Sequence, residues 1–455
     1  MARIGVHVFG AGYGETIVIQ FPDGSAGVID PFCGARELNA ENRADIHPII
    51  RFLKRTPSLR FVALTHPHAD HCMGFGQFIE HFAAIIEELW LPVAWDDILG
   101  RKYLVALKSA AKRERTEEAR SADPGTILAE LESIKNWIDS HPGHLDFIKS
   151  NMVKPLNCGE DLLEFVCYAP DAHAIREIGK VLSDALSDAR VDPDSPWVVL
   201  SPEKLPVDAK WNLLSSVMLL RWGKAEFLFC GDAEKGTWDR ILGTAEAPKQ
   251  PGRVDWRVTY VKIGHHGSHT GLNDRLYGYL ASNSSPVGVL TPFNLGSPDK
   301  RLPTVDGIQA YGSNLDSTYT TCMKSSLHAG TWEQPVEEEA TSVGLRPEQL
   351  TGVLEQYLVE YPSLAQALCS ASEEQLAQWL SSSDGIPAHM LEEFELRPEL
   401  AFAFHAVIQE MLSAATGPDA FSIENQFRVS HYFTDSGQLQ SRELGNGTGR
   451  LAKPT

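Results

Sequence analysis

The stretch that decides the fold is residues 65–71, which read Thr-His-Pro-His-Ala-Asp-His. It follows residues 60–64, Arg-Phe-Val-Ala-Leu, a short apolar run typical of a buried strand, so its polar groups should lie where that strand ends. Imidazole and carboxylate groups are ligands that divalent metals accept, and the spacing of two between His66 and His68 lets one loop direct both rings at one ion. Asp70 and His71 can then bind a second ion beside the first. The stretch therefore predicts a metal site.

Two later stretches have the same organisation, an apolar strand followed by polar groups. Residues 227–234 read FLFCGDAE, and residues 261–268 read VKIGHHGS. An HxHxDH string with strands ending in GD and HHGS resembles the metallo-β-lactamase fold, an α/β, four-layer αβ/βα sandwich that holds one or two metals. Together the strings are most similar to the nuclease domain of the bacterial DNA-uptake channel protein ComEC. The similarity covers about residues 3–325.

The resemblance implies a ligand set for two divalent ions, zinc or manganese. His66 and His68 would bind the first metal, Asp70 and His71 the second, and Asp232 would bridge them. We expect His265 to complete the site because it comes first after its strand, while His266 would be a ligand or a proton donor to the leaving oxygen. Asp70 and His266 are the expected catalytic residues. Further contacts to substrate or to the ligands are expected from Asp30, Asn212, Ser215, Ser268 and His269.

The amino-terminal segment departs from the pattern that it resembles. Residues 10–15 read GAGYGE, where the similar family usually has GQGD beside the metals, so Tyr13 and Glu15 replace the usual pair. A glycine-rich turn alone is a weak signal, and this one lacks the lysine of a phosphate-binding loop. Asp30 follows the next strand, as the family's aspartate does, and we expect it to anchor the metal loop.

The chain is long enough for more than one domain at 455 residues. We predict a catalytic domain over residues 1–325, with a helical insertion over about 75–200. An acidic, proline-containing linker precedes a mainly helical accessory region over residues 340–445, which ends in a hairpin at 427–440. Residues 446–455 are expected to be a disordered tail. The accessory region contains no catalytic motif, so we expect it to bind a protein partner or a second copy.

Composition limits the compartment and the partners. The seven cysteines lack CxxC spacing, no apolar run has transmembrane length, and the amino terminus lacks a signal-peptide pattern. These features predict a cytoplasmic protein without membrane contact. The net charge of −20 opposes loose binding of nucleic acid. The densest basic stretch, residues 101–120, is interpreted as a solvated helix face or as a phosphate contact.

The function expected from the resemblance is phosphodiester hydrolysis by a hydroxide held between two metals, with nucleic acid or a nucleotide as the substrate. Two alternatives stay open. One is a small-molecule hydrolase that acts on a cyclic nucleotide, lactone or thioester, which the acidic chain would suit better. The other is a non-catalytic, metal-bound scaffold in a protein complex.

Overall fold

The computed structural model describes residues 2–10, 14–32, 48–92, 130, 133–134, 136–159, 161–187, 190–191, 198–199, 208–243, 256–284, 286–293, 301–322, 332–333, 428–444 and 448–451. The basic stretch at 101–120, the linker beyond residue 333 and the helices expected in the accessory region before its hairpin lie outside these residues. The predictions made for them stay predictions.

The first sheet is mixed and carries the metal loop. Its strand order is β18-β17-β1-β2-β3-β4-β5-β6. The strands are β1 (Ile4–Phe9), β2 (Thr16–Gln20), β3 (Ala26–Ile29), β4 (Leu59–Ala63), β5 (Leu89–Pro92), β6 (Leu145–Ile148), β17 (Arg428–Phe433) and β18 (Leu439–Leu444). Strands β3 to β6 run parallel to one another, so β4 ends at the same edge as β3.

The second sheet is also mixed, with the order β16-β19-β15-β14-β13-β12-β11-β8-β7. Its strands are β7 (Met152–Cys158), β8 (Asp161–Ala169), β11 (Val217–Trp222), β12 (Ala225–Phe229), β13 (Tyr260–Lys262), β14 (Val287–Leu290), β15 (Ser317–Thr320), β16 (Trp332–Glu333) and β19 (Gly449–Leu451). Strands β12 to β15 are parallel, which brings the residues after β12 and β13 to one edge. A separate pair is formed by β9 (Arg190–Val191) and β10 (Val198–Val199).

Three apolar clusters define the layers. One lies between the sheets and includes Val6, Phe61, Phe165 and Phe229. The helices α1 (Pro48–Leu53) and α3 (Phe75–Phe82) pack on the outer face of the first sheet. The helices α5 (Lys235–Leu242), α6 (Asp274–Asn283) and α7 (Val305–Asn314) cover the outer face of the second. The chain also forms α2 (Ala69–Cys72), α4 (Ala172–Ser187) and 3-10 turns at Asp208–Leu214 and His265–Gly267. The expected α/β, four-layer class is confirmed.

The predicted helical insertion is interrupted by strands. Strands β5 to β8 fall within residues 75–200 and belong to the two sheets, so these parts of the range are core strands and not helical insertion. Leu163, Phe165 and Cys167 are buried alternately along β8, and that period of two is a strand pattern. No helix within the described part of the chain is long and apolar enough to cross a membrane.

The carboxy-terminal hairpin extends the first sheet. The hairpin itself is confirmed, and β17 pairs antiparallel with β1 from Ile4↔Phe433 to Phe9↔Arg428. Val429 and Phe433 lie in the cluster between the sheets. Residues 449–451 form a strand of the second sheet, where a disordered tail was expected. The core of the sandwich therefore includes residues beyond the boundary predicted near 325.

Candidate metal centre

The metal loop is held by a buried aspartate from the neighbouring strand. Asp30 follows β3 with a φ of 50°, and its two carboxylate oxygens accept hydrogen bonds from the Thr65 backbone nitrogen at 2.7 Å and the Thr65 hydroxyl at 2.6 Å. One of these oxygens, Oδ2, also lies 2.8 Å from His71 Nδ1. Asp30 thus fixes both ends of the loop, in the anchoring position that the sequence predicts.

The opposite half of the site comes from the second sheet. Asp232 follows β12, and its backbone nitrogen donates to Ser215 Oγ at 2.5 Å. Gly231 before it has a φ of 49°, and a Cβ there would lie 2.5 Å from Ser215 Oγ, so the GD string needs its glycine. His265 and His266 both have left-handed φ values, 47° and 50°, which are unfavourable for residues other than glycine. This strained turn points the two adjacent rings in different directions.

Three groups of side chains in this region could hold a metal ion, with the ligand atoms of each group within 4.8 Å of one another. One of them is Glu15, Asp30 and His71. The other two are Asp70, His71, Asp232 and His266, and His66, His68 and Asp232. Asp232 belongs to both of these. Its Oδ2 lies 3.8 Å from His66 Nε2, and its Oδ1 lies 3.4 Å from His71 Nε2. His266 Nε2 lies 2.9 Å from Asp70 Oδ2. Side chains from both sheets therefore converge on one point.

The hydrogen bonds leave ligand atoms free to bind a cation. His71 Nε2 and Asp232 Oδ1 are buried, face each other at 3.4 Å and have no other hydrogen-bond partner among the described residues. The other nitrogen of His71 faces the Asp30 carboxylate, and His266 Nδ1 lies 3.0 Å from the carbonyl oxygen of Thr291. When a carboxylate or carbonyl oxygen accepts a hydrogen bond from the Nδ1–H of a neutral histidine, the Nε2 lone pair is available to a metal. The donor set fits a divalent ion.

The electrostatics of the cluster favour added positive charge. Burial alone would lower the pKa of His71, but the carboxylates of Asp232, Asp70 and Asp30 raise it well above the ordinary value. Burial opposes the ionisation of Asp232, yet the His71 and His266 rings outweigh it and hold its pKa well below the usual range. The carboxylates thus stay ionised in a buried site, and such charge is stable only when it is paired or binds a metal.

The structure places His266, rather than His265, in the metal-binding groups. His266 is 1% exposed, and its Nε2 reaches Asp70. The Nε2 of His265 is 4.0 Å from Asp232 Oδ2, and its Nδ1 lies 3.0 Å from the Thr270 hydroxyl. The preference for the histidine that comes first after the strand is therefore not supported. His265, with 19% of its side chain exposed, lies at the rim of the cluster.

The remaining predicted residues divide between the rim and the scaffold. Asn212 is buried, its Nδ2 lies 3.3 Å from His265 Nε2, and its Oδ1 has no partner among the described residues. Ser215 supports the backbone of Asp232, and Ser268 Oγ bonds to the Thr270 hydroxyl at 2.8 Å. His269 is exposed and is in none of the three metal-binding groups. The structure thus brings Asn212 to the site but gives Ser268 a role in its own turn.

Sequence reasoning missed a polar network beside the cluster. It consists of Glu15, Lys262 and Thr291, all of which are nearly inaccessible to solvent. Lys262 lies within the VKIGHHGS string and Glu15 within the glycine-rich segment. A lysine inside an apolar strand was the available signal, since lysine is rarely fully buried without a partner.

No protein-family model matches the chain, and no curated protein matches it. The crystal structure of the metallo-β-lactamase fold protein YhfI from Bacillus subtilis is similar over 70% of this chain and 95% of that chain, with 12% identity and a TM-score of 0.33. The metallo-β-lactamase SMB-1 bound to 2-mercaptoethanesulfonate is similar over 50% of this chain and 61% of that chain, with 10% identity and a TM-score of 0.22. Both scores are too low to support an argument about function.

Proposed function

We propose that this chain is a metal-dependent hydrolase whose substrate is a phosphodiester. The observation that carries the proposal is the convergence of two potential metal-binding groups on one buried carboxylate, Asp232, with free ligand atoms on Asp232 and His71. Two cations that share a carboxylate suit a phosphodiester, because both the attacking and the leaving oxygen carry negative charge during displacement.

In this proposal the residues have separate roles. His66, His68 and Asp232 would hold one ion, and Asp70, His71, Asp232 and His266 the other. Bound divalent ions supply a Lewis acid and activate water at neutral pH. Asp30 keeps the His71 ring oriented through the bond to Nδ1. His265 lies at the partly exposed rim with the buried Asn212 3.3 Å behind its Nε2, so His265 is placed to contact the phosphate oxygens of a substrate.

The GD and HHGS strings, which together resemble those of a nuclease, also favour a phosphodiester as the substrate. A small substrate such as a cyclic nucleotide is the second candidate, because a chain with a net charge of −20 repels a polyanion. The two candidates share the metal chemistry and differ in the length of the substrate. A cytoplasmic location and a partner for the accessory region are further parts of the proposal.

The proposal is tested with a chromogenic phosphodiester, bis(p-nitrophenyl) phosphate, in the presence of EDTA, Mn²⁺ or Zn²⁺. We expect hydrolysis that EDTA abolishes and added metal restores. Parallel assays with linear DNA, circular DNA, RNA, cyclic nucleotides, a lactone and a thioester identify the substrate class. Hydrolysis of the lactone or thioester alone would contradict the phosphodiester assignment, and activity that survives EDTA would contradict the metal mechanism.

Asp232→Asn provides the residue-level test. It keeps the size of the side chain but removes the charge shared by the two groups, so turnover should fall by at least about a hundredfold, as it does when a charge-stabilising group is removed from an active site. Asp274→Asn, at an exposed position in the first turn of α6, is the matched control and should keep the wild-type rate. Equal rates for the two variants would remove Asp232 from the site.

A further inference from the structure

A buried ion pair joins the two sheets beside the metal centre. Glu15 directly precedes β2 of the first sheet, and Lys262 ends β13 of the second. Lys262 Nζ lies 2.7 Å from Glu15 Oε2, and each side chain is 1% exposed. The same oxygen accepts a hydrogen bond from the hydroxyl of Thr291, which follows β14. The pair is therefore a fixed connection between the two halves of the sandwich.

This connection touches both halves of the metal centre. The backbone nitrogen of Glu15 donates to the carbonyl oxygen of Asp70 at 3.1 Å, on the metal loop of the first sheet. Glu15 Oε2 lies 3.8 Å from His266 Nδ1, on the turn from the second sheet. His266 Nδ1 lies 3.0 Å from the carbonyl oxygen of Thr291, whose hydroxyl bonds to Glu15. The Glu15 carboxylate therefore connects the proposed ligands of both sheets, and it also lies with Asp30 and His71 in the third of the potential metal-binding groups.

Stability alone does not explain an ion pair at this place. Removing two charges from water offsets most of their attraction, so a buried pair is often no more stabilising than apolar residues of the same volume. The cluster between the sheets elsewhere is built from apolar side chains such as Phe61 and Phe229. A charged pair has a directional geometry that apolar contacts lack, and here it lies where ligands from the two sheets meet.

We propose that Glu15 and Lys262 are positioning residues that hold the two halves of the metal centre at their binding distance and so determine the metal affinity. The inference rests on the proposed function. Two distances between proposed ligands depend on how the sheets are placed relative to each other. His71 Nε2 of the first sheet lies 3.4 Å from Asp232 Oδ1 of the second, and His266 Nε2 of the second lies 2.9 Å from Asp70 Oδ2 of the first. A small shift of one sheet against the other changes both distances.

The test uses a double variant that removes the charges but keeps the shapes, Glu15→Gln with Lys262→Met. Each single variant leaves one buried charge without its partner and should lower the thermal midpoint, whereas the double variant should recover it to near the wild-type value. Metal affinity is measured on the full-length, metal-free protein by calorimetric titration with Mn²⁺ and with Zn²⁺. We expect the double variant to bind about 10- to 100-fold more weakly, the range found when groups that orient metal ligands are removed.

The control is an ion pair at the edge of the first sheet, in which Arg60 Nη2 lies 2.8 Å from Asp23 Oδ2 in the turn between β2 and β3; Arg60 also bonds to Glu87 at 3.0 Å. Arg60 lies near the start of β4, at the opposite end from the metal loop. The variant Arg60→Met with Asp23→Asn should keep wild-type metal affinity. Thr291→Val is a milder variant that removes one hydrogen bond to Glu15 and should weaken metal binding several-fold, so it decides the question if the double variant does not fold.

Two outcomes overturn the inference in distinguishable ways. If the double variant and Thr291→Val both bind metal as tightly as the wild type, the pair only stabilises the fold, and the proposed function is unaffected. If the wild type itself binds no divalent metal, the proposed function fails and the positioning role fails with it. Metal binding without hydrolysis of any substrate would overturn the proposed function alone, because the titration needs no substrate.

Discussion

His431 should make the fold sensitive to acid. It lies on β17, fully buried, and its ring packs against Tyr319 at 4.9 Å and Tyr260 at 5.8 Å between ring centroids. Neither ring nitrogen has a hydrogen-bond partner among the described residues. Burial, with a further contribution from the positive charge of Arg442, lowers the pKa of His431 to about 3. The perturbation is His431→Leu, which replaces the ring with an apolar side chain of similar volume.

The size of the expected loss of stability follows from the difference between the pKa of His431 in the folded and in the unfolded state. An unfolded histidine has a pKa of about 6.5, so below that pH the unfolded chain binds a proton that the folded protein does not accept. The free energy of unfolding therefore falls as the pH decreases from about 6.5 towards 3, by up to about 1.4 kcal/mol per pH unit. Between pH 7 and pH 5 this one group should lower the stability by about 2 kcal/mol.

The assay is urea denaturation followed by tryptophan fluorescence, in EDTA, at pH 7 and pH 5. The wild type should lose about 2 kcal/mol more than His431→Leu between these pH values, because the two proteins differ only at this residue. His173→Leu, at an exposed position on α4, should behave like the wild type. Equal losses for the wild type and His431→Leu would refute the reasoning, and they would mean that residues 428–433 do not lie inside the sandwich.

Three further predictions concern the site and the sheets. Asp30→Ala should weaken metal binding by roughly 10- to 100-fold in a calorimetric titration, because His71 loses the group that orients its ring. An unchanged metal affinity would contradict this role of Asp30. Metal at one hundred times its dissociation constant should raise the free energy of unfolding by about 2.7 kcal/mol in urea titrations, and no change would argue against a site specific to the folded state. A fragment that ends at Cys322 should aggregate in size-exclusion chromatography, because the loss of β17 leaves β1 as an unpaired edge. A monomeric, active fragment would restore the domain boundary near residue 325.

The halves of the metal centre could be predicted from the sequence because each signal is local. Asp70 and Asp232 both come just after an apolar strand, and the ends of parallel strands in each sheet share one edge. Each short stretch of sequence therefore shows both the strand and the polar residues that follow it. The α/β class and the order of the first strands follow from the same kind of pattern.

The parts that could not be predicted depend on contacts between distant residues. Strand β17 pairs with β1 from the other end of the chain, and no local pattern names its partner. Lys262 meets Glu15 only because the two sheets pack face to face. The choice between His265 and His266 depends on left-handed backbone angles at both residues, which the HHGS string does not reveal. These features arise from packing, so the structure was needed to find them.

The most direct test of the metal centre is the metal content of the protein after reconstitution and removal of unbound ions, measured by inductively coupled plasma mass spectrometry. Wild-type protein incubated with Mn²⁺ or Zn²⁺ should retain about two ions per chain, as expected when two cations share a site. Asp232→Asn should retain fewer than the wild type, because Asp232 belongs to both of the groups that would hold these ions. A wild-type protein that retains no divalent metal, or an Asp232→Asn variant that retains as much as the wild type, would contradict the assignment.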